Sequence, residues 1–176
     1  MTRDGGDTWT RIEGPGLPDP PIGKIGLCMT PADSDRIYAL IETGDGVPWQ
    51  GQETDSGELW RSDDGGDSWM LVNHSRDLGG RTAYYNHCAV STDDPDEAYF
   101  MTNGFSRSLD GGHTYVTIPR SNAPGGDHHD MWIDPANGDR MIVGHDQGVS
   151  ISENRGAAWN RVELPVGQMY HVTVDN

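Results

Sequence analysis

The side chains best suited to chemistry fall into short runs rich in histidine and aspartate: Asp127-His128-His129-Asp130, His145-Asp146-Gln147, Met169-Tyr170-His171 and Tyr85-Asn86-His87. Two carboxylates in such company can serve as acid and base across a glycosidic bond, at a separation of about 5 to 9.5 Å set by the stereochemistry. Asp130 and Asp146 are the candidate pair, with Asp127 as substitute. The imidazoles beside them can tune carboxyl pKa values or hydrogen-bond sugar hydroxyls. His128, His129, Asp130 and His145 are also metal-ligating types, but adjacent strand residues point to opposite faces, so His128 and His129 are not expected on one ion. Nothing in the pattern asks for a cofactor.

Scattered runs become a site only if a frame gathers them, and the frame is written as a repeat. The pattern Ser/Thr-x-Asp/Asn-x-Gly-x-Thr/Ser-aromatic occurs at Thr2 to Trp9, Ser62 to Trp69, Ser108 to Tyr115 and, in weaker form, Ser152 to Trp159. In a hairpin turn the Asp or Asn can bond backbone N–H groups two residues on, and the glycine accepts positive φ. The aromatic that follows has a large face to bury against a neighbouring sheet. Asn154 and Ala158 replace the carboxylate and the hydroxyl in the fourth copy, so its turn is expected to be the least tightly bonded.

The aromatics are spaced by 60, 46 and 44 residues, and about 45 residues is the length of a four-stranded propeller blade. A second repeat, a polar turn followed by a strand, recurs at Pro31, Asp93 and Asp134 with the same period. The expected fold is therefore all-β, a propeller with three complete blades at 24–73, 84–118 and 128–163. Residues 1–15 would give the D strand of a preceding blade (9–12), and 169–176 the A strand of a following one. Three-odd blades cannot close a ring, so copies of the chain, or the remainder of a longer parent chain, are expected to complete it.

In such a blade the A–B and C–D turns share one face and the B–C and D–A loops the other, where recognition is expected. Aligned A strands place His87, Asp130 and His171 at equivalent positions, with Asn86, His129 and Tyr170 one residue earlier and Tyr85, His128 and Met169 before those. His145 and Asp146 reach the same face from a B–C loop. The long B–C loop 44–57 carries Trp49, which suits stacking on a sugar ring.

Composition narrows the partners. A formal charge of -16, with one lysine against eleven arginines, repels nucleic acid and anionic membrane. No stretch approaches the roughly 20 apolar residues of a membrane span, and the N-terminus lacks the apolar core of a signal peptide, so a secreted parent would have lost its signal. Cys28 and Cys88 sit in apolar runs and are expected as buried free thiols rather than a bridge.

The four turns resemble the Asp-box, or BNR, repeats of sialidases, xyloglucan-type glycoside hydrolases and the sortilin (Vps10) propeller, over nearly the whole chain. The runs at 125–135, 144–150 and 167–172 are similar to large bacterial sortilin-like and "glycosyl hydrolase, BNR repeat" proteins. The resemblance implies a secreted bacterial propeller in which the repeated turn is structural and remote from the active face. It further implies a glycoside hydrolase-like protein acting on or binding a polysaccharide, with a non-catalytic module for peptide or glycan as the alternative. The sialidase version fits badly, because neither its arginine triad nor its Phe-Arg-Ile-Pro type motif is visible.

Overall fold

The computed structural model describes residues 1–44, 46, 51, 57–165 and 167–174, with all their side chains except that of Glu163. Twelve strands form three antiparallel sheets of four, each ordered as in the chain. Blade one holds β1 (Ile25–Thr30), β2 (Asp33–Ile41), β3 (Leu59–Ser62) and β4 (Met70–Asn73). Blade two holds β5 (His87–Val90), β6 (Ala98–Met101), β7 (Phe105–Ser108) and β8 (Val116–Thr117). Blade three holds β9 (His128–Asp134), β10 (Asn137–His145), β11 (Gly148–Ser152) and β12 (Asn160–Glu163). This is the all-β propeller architecture read from the repeat.

The blades stack through both faces of the middle sheet. In β6, Ala98 and Phe100 join Tyr38, Leu40 and Leu59 in the core between blades one and two. Tyr99 and Met101, on the opposite face, pack with Phe105, Ile133, Met141 and Val143 between blades two and three. A strand buried on both faces reads as a continuous apolar run, which is why this segment does not alternate. A disulfide joins Cys28 on β1 to Cys88 on β5, with Cα atoms 5.7 Å apart. The expectation of free thiols is thus corrected: inner strands of successive blades run side by side, so two inner-strand cysteines meet within bridging distance.

Each polar turn closes on its own side chains. At the second, Ser62 Oγ accepts from Gly66 N (2.9 Å) and Asp64 N (3.3 Å), while Asp64 accepts from Ser68 N (2.8 Å) and Ser68 Oγ (2.5 Å). The carboxylate thus bonds four residues on, not two as expected; the hydroxyl that opens the turn takes the nearer amide. Gly65 and Gly66 adopt φ of 69° and 94°. The fourth turn keeps the Ser152 and Asn154 bonds to backbone N–H but has no hydroxyl at Ala158, and Trp159 Nε1 is buried without a partner. Gly65 N, Gly111 N and Arg155 N donate to Asp35, Asp96 and Asp139 carbonyls, which ties every C–D turn to the A–B turn of its own blade on one face.

Neither terminal segment forms its expected strand: 9–12 and 170–174 lie outside every ladder. A strand needs a neighbour to bond with, and the first segment instead packs Ile12 and Leu17 over Trp60 and Trp69 on the free face of blade one. Trp69 N donates to Pro15 O (2.9 Å), and Gly16, at φ 91°, approaches so closely that a Cβ there would lie 1.7 Å from the Trp69 carbonyl oxygen.

Candidate functional site

The face opposite the polar turns is assembled from loops held by backbone bonds. Between β4 and β5, Tyr84 N and Tyr85 N both donate to Arg81 O (2.8 Å), which winds the chain so that Tyr85 is buried while Tyr84 stays 43% exposed. Asn86 follows at φ 90°, a conformation asparagine tolerates better than most residues; its amide donates to Lys24 O and Leu40 O at 3.1 Å. Between β8 and β9 Asp127 has φ 55°. Asp146 N, in the turn between β10 and β11, donates to Gly126 O (3.3 Å) and Asp127 O (3.2 Å), which docks the two loops on each other.

His129 is the centre of what these loops present. Its ring lies between Tyr85 (centroids 6.1 Å, planes 15° apart) and Tyr170 (4.2 Å, 17°). Its Nε2–H donates to the Asp146 carboxylate at 2.7 Å. The Tyr85 hydroxyl donates to Asp127, and Tyr84 packs its edge near Tyr85, His129 and Tyr170 while its hydroxyl meets that of Tyr170. The hydrogen bond with Tyr170 pushes the Tyr84 phenol up to about 12, and burial, then Asp127, raises Tyr85. Both rings therefore stay neutral through the physiological range. Arg81 lies 5.7 Å from the Tyr84 ring centre and 5.6 Å from that of Tyr85, within cation–π reach.

The other expected site residues occupy different surroundings. Asp130 accepts Met131 N on one oxygen (2.9 Å) and Val172 N on the other (3.0 Å), with His171 Nδ1 at 3.5 Å from the second. His87 is half-buried, and burial, then Lys24, lowers its pKa. His128 and His145 are 1% and 2% exposed and belong to the packed rim. Two carbonyls, Thr102 O (3.1 Å) and Gly104 O (3.0 Å), face His128 Nδ1, so that nitrogen carries the proton. Gln147 N donates to His145 Nδ1 (3.2 Å), leaving its Nε2–H for Ser150 Oγ (3.0 Å). Burial lowers the pKa of both.

The two adjacent histidines thus part to opposite faces, as strand geometry requires, and no group of three metal-ligating side chains converges among the described residues. Trp49 lies outside the described residues. Tyr84 and Arg81 were missed from sequence; the Tyr84-Tyr85 doublet was the available signal, one position beyond the aligned residues.

No protein-family model matches the chain, and no curated protein matches it in sequence. Among solved structures, it is similar to the GH74 xyloglucanase from Xanthomonas campestris, with a TM-score of 0.56 and 20% identity over 78% of this chain. It is also similar to the GH74 enzyme of Niastella koreensis, with a TM-score of 0.51 and 17% identity over 78% of this chain. The chain spans only 23% and 22% of those two proteins. At these identities the likeness is one of propeller fold.

Proposed function

We propose that the loop face binds a polysaccharide chain, laid across Tyr170 and Tyr84 and hydrogen-bonded by Asp127 and Asp146. The observation that carries this reading is the stack beneath Tyr170. One face of its ring rests on His129, which Tyr85 backs and Asp146 tethers, so the exposed 43% of Tyr170 is a rigid apolar surface rather than a floppy side chain. Rigid aromatic surface beside fixed polar groups is what a pyranose needs, because it offers C–H groups on one face and hydroxyls at its edge. Propeller neighbours that include a xyloglucanase support a carbohydrate ligand.

Hydrolysis is the second reading. Asp130 has both oxygens committed to backbone amides, a role that pins the 170–174 segment. Asp127 and Asp146, on loops bonded to each other, are the pair left for acid and base work. The Cys28–Cys88 bridge supports an oxidising compartment, hence an exported protein.

Calorimetric titration with a panel of soluble plant and microbial polysaccharides tests the proposal. Binding to at least one is expected, weakened tenfold or more by Tyr170→Ala. Wild-type affinity in that variant, or no binding across the panel, would overturn it. Release of reducing ends that Asp146→Asn abolishes would promote the second reading.

A further inference from the structure

A second feature of the same face departs from the charge of the whole chain. Most arginines here pair with carboxylates, Arg36, Arg107 and Arg155 among them. Arg120 and Arg161 pair with none among the described residues, yet both line one cleft of about 330 Å³ together with Gly125, Gly126, His145 and Gln147. The Arg161 guanidinium is held in place by three carbonyls, from Pro124 (3.0 Å), Arg120 (3.0 Å) and Ala123 (2.6 Å). Among the described residues the Arg120 guanidinium has no hydrogen-bond partner, only its carbonyl being engaged. In a chain of charge -16, carboxylates for these arginines are plentiful, yet no described side chain pairs with either.

Resting on the polysaccharide reading, we infer that this cleft takes the carboxylate of a uronic acid residue carried on the bound glycan. The fork offered is that of Arg120, whose planar guanidinium matches a carboxylate in charge and geometry as an ammonium does not, while Arg161, its Nε and Nη2 held by carbonyls, adds Nη1 and its charge. His145 and Gln147, in the cleft, flank Asp146, which tethers His129 beneath Tyr170, so one glycan can reach cleft and platform together. Gly126 keeps the cleft open: a Cβ there would face it, with Arg120 Nη2 at 3.7 Å and Gln147 Oε1 at 3.9 Å as nearest atoms. The ligand carries isolated uronates rather than a continuous run of them. Asp127, Asp130 and Asp146 on the same face, and the net charge behind them, repel a polyuronate at the short range that salt does not screen.

The experiment compares a neutral-backbone oligosaccharide bearing one glucuronyl group with the same molecule carboxyl-reduced, by calorimetry in low salt. The acidic form should bind about tenfold more tightly, and polygalacturonate more weakly than either. Arg120→Gln removes a guanidinium without a partner among the described residues, and should erase the acidic preference while leaving the reduced form unchanged; Gly126→Leu fills the cleft and should erase the preference while weakening both forms. Tyr170→Ala should weaken both ligands. Equal affinity for the two forms, or a preference that survives Arg120→Gln, overturns the inference but leaves Tyr170-dependent glycan binding standing. Tighter binding of polygalacturonate overturns the isolated-uronate specificity. No binding of either oligosaccharide overturns the inference, and the polysaccharide reading falls with it only if the whole panel also fails to bind; Arg120-dependent binding of peptides through a free C-terminal carboxylate would assign the cleft to a protein ligand instead.

Discussion

Replacing Cys28 and Cys88 together by alanine should destabilise the fold by about 4 kcal/mol. The bridge closes a loop of 60 residues, and the chain-entropy relation for a loop of that length gives roughly 4 kcal/mol at 25 °C, inside the usual range of about 2–5 for a native bridge. The native side should change little. Cys28 is already packed in the core between blades one and two, where Tyr38, Leu40, Val90 and Phe100 hold the sheets together whether or not the sulfurs are joined. The loss therefore acts through the denatured chain, which is freer without the bridge. For a chain of this length each kcal/mol is worth about 2–4 °C, so the melting temperature should fall by about 10 °C. Urea denaturation should show a larger m-value in the double variant, because the unbridged chain exposes more surface. Cys28→Ala alone, measured with reductant, gives the packing contribution for subtraction. A double variant within 1 kcal/mol of the oxidised protein would refute the reasoning, as would wild-type protein that yields two free thiols on denaturation without reductant.

Stability should also depend on pH in a defined window. His87, His128 and His145 have folded pKa values lowered by burial, so the unfolded chain takes up protons first. Their contribution is complete above the ordinary histidine pKa of about 6.5 and is lost as pH falls below it, by up to about 1.4 kcal/mol per pH unit for each group. Denaturation midpoints measured from pH 7.5 to 5 should fall, with a shallower slope in His145→Gln; a flat profile would contradict the assignment. Arg155→Ala should cost about 2–4 kcal/mol, because Asp93, Asp139 and the buried Glu97 lose a shared partner that ties blade three to blade two. Arg155→Gly should cost less, since Arg155 holds φ 56° where the other three turns have glycine; equal losses would refute the backbone part. Asn154→Asp combined with Ala158→Thr restores the carboxylate and hydroxyl of the other turns, and should raise the melting temperature more than the two single changes added together.

What could be read from sequence depended on whether the physics was local. Each polar turn satisfies its backbone with its own hydroxyl and carboxylate, so its residue types are fixed at fixed spacing and the period shows at once. Strands followed from that period, apart from the two terminal segments: 9–12 has the residues of a strand, but a ladder is a property of two strands. The disulfide needed one further step, that inner strands of neighbouring blades lie side by side, which the turn pattern implies only once a radial arrangement is taken literally.

The site was legible in its backbone and hidden in its side chains. Aligned inner strands did bring His87, Asp130 and His171 within electrostatic reach of one another, yet equivalence of position says nothing about direction. Asp130 turns its carboxylate onto the amides of Met131 and Val172, while His129, one residue earlier, turns the other way into a stack of tyrosines. One residue earlier again, His128 is sealed against two carbonyls. Three consecutive residues of similar type thus do three different jobs, one pinning a segment, one backing a platform and one packing the rim. The alternation of the strand turns His129 away from its two neighbours, and only the partners on each side, Tyr85 and Tyr170 above all, decide what each side chain does.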